Sequence, residues 1–311
     1  MLVFFITILP YLLLRHMYDI CCVGHISSDK VITPKSCGKL AGGTAVYFSH
    51  VLSKLKINYL LVTSLAPAEM SYVTDLQNIN INVRVRFSRH TVEFENIYGE
   101  NPDEREQKVN QTADAFTMDQ LADIDAKIFH LGTLLADDIS IDIIKSLAAK
   151  GRVSLDAQGF VRKVINKKVS VVDWRQKKEA LQYIDILKVD ETEMTALTGH
   201  TNIADGARLL ADWGAKEVVI TKGGKGSEIY KDGNYYNIPF YYPLQITDVT
   251  GCGDTYMAGY LYMRTNNKGP QEAGEFAAAV ASLKIGTFGA YSGTIGEITD
   301  FRNQHYAIWG F

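Results

Sequence analysis

Short apolar runs rich in β-branched residues recur along the chain, separated by stretches with helical spacing. The runs at 19–23, 59–63, 126–131, 152–156, 184–189 and 217–221 are mostly continuous rather than alternating, as in strands covered on both faces. Helical patterns fill 44–55, 139–150, 204–213, 254–264 and 271–284. Strand alternating with helix predicts an α/β fold with a doubly wound, mostly parallel sheet. Ligands of such sheets bind beyond the carboxyl ends of the strands.

Two regions break the pattern. Residues 30–41 and 81–98 alternate apolar and polar positions, which predicts antiparallel strands with one face covered. Together they predict a small β lid beside the main sheet, able to exclude water from a site. The polar segment 99–111 reads as a loop. Residues 2–14 are apolar but shorter than the roughly 20 residues that span a bilayer. They lack the basic start and small-residue cleavage site of a secretory signal. We therefore expect residues 1–16 to be an extension outside the fold, and 17–311 to form the folded domain.

Composition narrows the function by exclusion. A net charge of -3 with 22% charged residues gives no basic face for a nucleic-acid partner. No membrane association is expected. The four cysteines, Cys21, Cys22, Cys37 and Cys252, form neither a disulfide framework nor a metal motif, which fits a reducing cytoplasm.

The chemistry concentrates in DVTGCGDTYMAGY, residues 248–260. Gly251 and Gly253 let backbone amides at a helix start approach an anion, and Asp254 follows in the first turn. An anion cradle beside a carboxylate suits phosphoryl transfer, with Asp254 as the base for an attacking hydroxyl. The helix dipole is expected to keep Asp254 ionised. The plainer reading makes Thr250 the helix cap and the glycines a tight turn. A second glycine-rich turn, TKGGKGSEIY at 221–230, follows a predicted strand. Neither stretch fits the P-loop or the dinucleotide-binding pattern, which disfavours both classes.

From residue 17 onward the chain resembles the ribokinase-like (PfkB) carbohydrate kinases. Its DVTGCGD matches the family's D-T-x-G-A-G-D signature with Val and Cys substituted. The resemblance implies Asp254 as catalytic base and Gly251, Cys252 and Gly253 as the anion hole. The family's nucleotide turn is matched by Thr221, Gly223, Gly224 and Gly226. Its N-x-x-E motif is matched by Asp190 and Glu193, with Asp replacing Asn. This implies ATP as donor and Mg2+ organised near Glu193 through water. Residues 277–281 and Gly289-Ala290 resemble the region that packs around adenine.

For the acceptor, the resemblance implies Asp29, Gly42, Gly43 and Arg162, the last from LDAQGFVR, where Gln158 replaces Asn and two residues are inserted. Tyr47 stands where sugar-kinase relatives carry Asn. That change implies a different hydroxyl-binding pattern, with Glu95 and Asn96 of the lid offered to ring hydroxyls. The DAQGFVR element and the lid run FENIY resemble the inositol-kinase branch, which implies a small cyclic polyol. A nucleoside acceptor, or a non-catalytic sugar- or nucleotide-binding regulator, is the alternative. Some relatives bind a monovalent cation, and lids in this family often pair between subunits, so both a cation site and a homodimer remain open.

Overall fold

A computed structural model describes residues 17–32, 37–98 and 105–309. The strands are β1 (Met17–Val23), β2 (Ser27–Ile32), β3 (Cys37–Gly42), β4 (Tyr59–Leu65), β5 (Asn82–Phe87), β6 (Val92–Tyr98), β7 (Arg105–Gln111), β8 (Asp125–Leu131), β9 (Arg152–Asp156), β10 (Arg162–Ile165), β11 (Lys168–Val171), β12 (Ile186–Asp190), β13 (Glu217–Thr221), β14 (Ser227–Lys231) and β15 (Asn234–Ile238). The helices are α1 (Thr44–Leu52), α2 (Met70–Asn78), α3 (Ile141–Ala148), α4 (Lys177–Ala180), α5 (Glu191–Thr198), α6 (Ile203–Asp212), α7 (Cys252–Thr265), α8 (Pro270–Ile285) and α9 (Ile295–Trp309). The expected extension at 1–16 and part of the polar segment, 99–104, lie outside the described residues.

Nine strands form one sheet in the order β15-β14-β13-β12-β9-β8-β1-β4-β5. The pairs from β13 to β5 are parallel, while β14 and β15 close one edge as an antiparallel hairpin. Period-two alternation sends neighbouring residues to opposite cores. Cys22, Ile20 and Leu61 pack with α1, α7 and α8, whereas Cys21, Val23 and Leu60 pack with the α3, α5 and α6 layer. The chain adds β4 and β5 on one side of β1, then returns to build β8, β9, β12 and β13 on the other. The reversal beside β1 is a topological switch point, where a crevice opens at the carboxyl ends of the strands.

A second sheet, in the order β10-β11-β7-β6-β2-β3, covers that crevice. The expected lid is present, but its membership differs. Residues 82–87 pair parallel with β4 and so extend the main sheet. Val83 and Val85 pack on the core, while Arg84 and Arg86 reach Asp123 and Asp119 on the outer side. A half-covered edge strand alternates just as a lid strand does, so the pattern could not separate the two. Residues 105–111, expected as loop, form a lid strand against β6. The pairing of β2 with β6 is parallel, which makes the lid mixed rather than wholly antiparallel.

Candidate active site

Between the strand ends, the lid and the start of α7 lies a cavity of about 780 Å3. Its floor is the N-terminal turn of α7. Gly251 caps this helix with φ of 75°, a left-handed conformation that favours glycine. A Cβ at Gly251 would lie 2.2 Å from the Tyr47 ring, so glycine is required by space as well as by φ. No side chain caps α7, which leaves first-turn amides available to an anion. The Thr250 side chain therefore does not serve as the cap. Cys252 is half-buried in the cavity wall, where burial pushes its thiol up to about 12.

Asp254 faces this cavity, and the Thr44 hydroxyl donates to its Oδ1 at 2.6 Å. Burial, reinforced by the nearby Asp156 charge, raises its carboxyl to about 6, although Thr44, Lys188 and Arg162 oppose the shift. The helix dipole alone suggested an ordinary ionised acid. Desolvation and a like charge outweigh it, which yields a stronger base.

One residue absent from the sequence expectations, Lys188, stands next to the first turn of α7. Lys188, 3% exposed, lies 3.1 Å from Asp156 Oδ2 and 3.6 Å from Glu193 Oε2. Burial alone would strip its proton, but Asp156 and Glu193 hold it charged well above the usual lysine range. Its Nζ is 3.4 Å from where a Gly253 Cβ would sit, so its charge touches the anion hole directly. The available signal was a lysine inside the apolar run ILKV of β12.

Asp190 and Glu193 form a reciprocal capping box on α5. Asp190 Oδ1 accepts from the Glu193 amide at 2.7 Å, and Glu193 Oε2 accepts from the Asp190 amide at 2.8 Å. Asp190 lines the cavity, while Glu193 is buried behind it with its carboxyl raised by burial. Among the described residues, no three His, Cys, Asp or Glu side chains converge to ligate a metal directly. Of the two carboxylates, Asp190 fits a hydrated Mg2+ contacted through water. Glu193, expected from the sequence beside the metal, is turned away from the cavity toward Lys188 and the Asp190 amide.

Opposite Asp254, the lid brings Ser27, Asp29, Phe94 and Gln107 to the cavity, joined by Gln158 and Arg162 after β9. The Ser27 hydroxyl is wholly buried and has no hydrogen-bond partner among the described residues. Gly42 permits this packing, since its Cβ would lie 2.4 Å from Asp29 Oδ2. Gly43 lines the cavity and takes φ of 81°. Glu95 is not brought to the site. It lies one residue from the cavity-facing Phe94, on the outer face of β6, and pairs with Lys30 at 3.0 Å. Asn96 shares the Phe94 side and accepts from Gln107 at 2.9 Å.

At the other end, Thr221, Gly223, Gly224 and Gly226 form a turn on the cavity rim. Gly226 admits the Ile238 carbonyl 2.2 Å from where its Cβ would be. Beyond the turn, Phe240, Ile246, Val249, Ala278, Ala281 and Ile285 make an apolar wall.

Known proteins of the same build carry kinase names. A family model described as pfkB family carbohydrate kinase matches residues 17–295. The cytidine kinase of Thermococcus kodakarensis is 28% identical over 264 residues, which is 79% of this chain and 88% of that protein. A pyrophosphate-dependent kinase of the ribokinase family, solved with a pyrophosphate analog and myo-inositol, superposes with a TM-score of 0.81 at 30% identity, covering 90% of this chain and 99% of the other. Arabidopsis thaliana ribokinase, solved with ribose and ATP, has a TM-score of 0.78 at 22% identity over 92% and 99% of the two chains, a likeness of fold.

Proposed function

The chain belongs to the pfkB family of carbohydrate kinases, and from that premise we propose that it transfers the γ-phosphoryl group of Mg·ATP to a ring hydroxyl of an inositol-like cyclic polyol. Members of this family are phosphotransferases with an alcohol group as acceptor, and so is this chain. The observation that carries the reading is Asp254 at the uncapped start of α7, its carboxyl raised to about 6. Asp254 takes the acceptor's proton as the hydroxyl oxygen attacks the γ-phosphorus and the bond to the β-phosphate oxygen breaks. The first-turn amides of α7, with Lys188 and Arg162, balance the charge on the transferring group. Bound Mg2+, held at Asp190 through water with Glu193 bracing Asp190 from behind, would neutralise donor phosphate charge.

The polyol reading is supported by Ser27, Asp29, Gln107, Gln158 and Arg162, which ring the acceptor end with donors and acceptors. ATP as donor is supported by the apolar wall. Ile246 and Val249 are 79% and 64% exposed, a surface that a flat base would cover and a pyrophosphate would not. A nucleoside acceptor is the second reading, favoured by the likeness to a cytidine kinase and by the Phe94 and Leu134 side chains beside the acceptor end.

The test is kcat/KM for myo-inositol, ribose, fructose, cytidine and adenosine, each with ATP and with pyrophosphate. Preference for myo-inositol with ATP is expected. A preference for a nucleoside, ribose or fructose would overturn the acceptor, and a pyrophosphate preference the donor. No turnover with any pair would overturn the kinase reading.

A further inference from the structure

Lys284, on α8, is wholly buried behind the anion hole rather than exposed on the helix surface. Its ammonium donates to the Asp248 carbonyl at 2.8 Å, to Asp248 Oδ2 at 3.0 Å and to the Thr287 carbonyl at 3.2 Å. All three N–H donors are thus used on oxygens, in the kind of cage that carbonyls and a carboxylate build around a hard cation. The cage joins two segments. Asp248 opens the anion-hole loop, and its side chain also accepts from the Thr250 amide at 2.9 Å and the Gly289 amide at 3.1 Å. The amides of Thr247 and Asp248 in turn bond the Ile285 carbonyl. Lys284 also lies 5.8 Å from the centroid of the Tyr47 ring, the ring that packs on Gly251.

The charge is therefore fixed where it both ties the loop after α8 to the anion-hole loop and reaches the site. Burial would raise the Asp248 carboxyl, but the Thr250 amide and Lys284 hold it below the usual range. A separate monovalent cation does not fit these oxygens. It would share Asp248 with an ammonium already in contact, and two like charges at such separation in a buried setting repel strongly.

We propose that Lys284 is a tethered cation that replaces a monovalent metal ion, so that this kinase needs no K+ for catalysis. The proposal rests on the phosphotransfer reading of the cavity and goes further, to the ionic requirement of its anion hole. It is tested with turnover and melting temperature in potassium, sodium and choline chloride at equal ionic strength. For the unaltered protein, both are expected to be the same in all three salts. Activation or a raised melting temperature specific to K+ would overturn the proposal.

Lys284→Ala opens the cage. Its turnover is expected to fall about 100-fold, the scale of disturbing one donor of an anion hole, here through the loop that Lys284 holds. K+ or ammonium, but not choline, should restore part of that loss and raise its melting temperature. Full activity of the variant in choline chloride, or loss with no cation-specific recovery, would overturn the assignment and leave Lys284 a structural pair. If Lys284→Ala does not fold, Lys284→Ser, which also opens the cage, takes its place under the same outcomes. Melting needs no substrate, so failure of the kinase reading is distinguishable from failure of this one.

Discussion

At the scale of single residues, the site depends on what burial does to charge. Asp254 must be ionised to accept a proton, so kcat/KM should rise as pH climbs through about 6 and level off above it. Asp254→Asn keeps the shape and removes the base, and should lower kcat by roughly 10²–10⁴-fold. The same substitution should stabilise the fold. An acid whose folded pKa, about 6, lies above its ordinary 3.8 destabilises the native state above about 6, and that cost fades as pH falls through this window. The variant should therefore melt higher than the unaltered protein at pH 8 and lose that advantage near pH 4, as thermal denaturation would measure. An equal shift at both pH values would contradict the burial account.

Lys188 tests the opposite sign. Removing it strands the Asp156 and Glu193 carboxylates, so Lys188→Met should cost about 3–5 kcal/mol, read from urea unfolding. Adding Asp156→Asn should recover part of that stability but none of the activity, because the charge beside Gly253 is still missing.

At the scale of elements, α1 and α7 act as a pair. Thr44 at the start of α1 orients Asp254, and Tyr47 one turn later packs on Gly251. Gly251→Ala would meet the Tyr47 ring and strain a positive φ, so it should inactivate the enzyme and lower its melting temperature. Gly251→Ala combined with Tyr47→Ala should recover stability in part, since only the clash is relieved. Additive effects of the two substitutions would show that the contact is not the cause.

The elements differed in how far the sequence revealed them. Buried parallel strands were legible to within a few residues because both faces are apolar, and 152–156 and 217–221 match β9 and β13. The α7 start was legible because few residue types tolerate its geometry. The β5 strand and the outward turn of Glu95 were not, because alternation reports that one face is covered without saying by what.

At the scale of the whole molecule, the lid meets the strand ends at the switch point beside β1, and that meeting defines which lid residues face the cavity. Glu95→Ala should leave kcat and KM for the acceptor unchanged, whereas Ser27→Ala and Gln107→Ala should raise KM. Steady-state kinetics with the preferred acceptor checks all three, and a raised KM for Glu95→Ala would contradict its outward position.

By itself the sequence determined the α/β layering, the glycine turns and the acid that ends the anion-hole loop, because these rest on local periodicity and on backbone conformations that few residues allow. Only the tertiary structure decided the rest. The raised affinity of Asp254 for its proton, the Lys188–Asp156–Glu193 cluster and the Lys284 cage all join residues distant in the chain. Such charges interact through separation and desolvation, and neither is defined until the chain has packed.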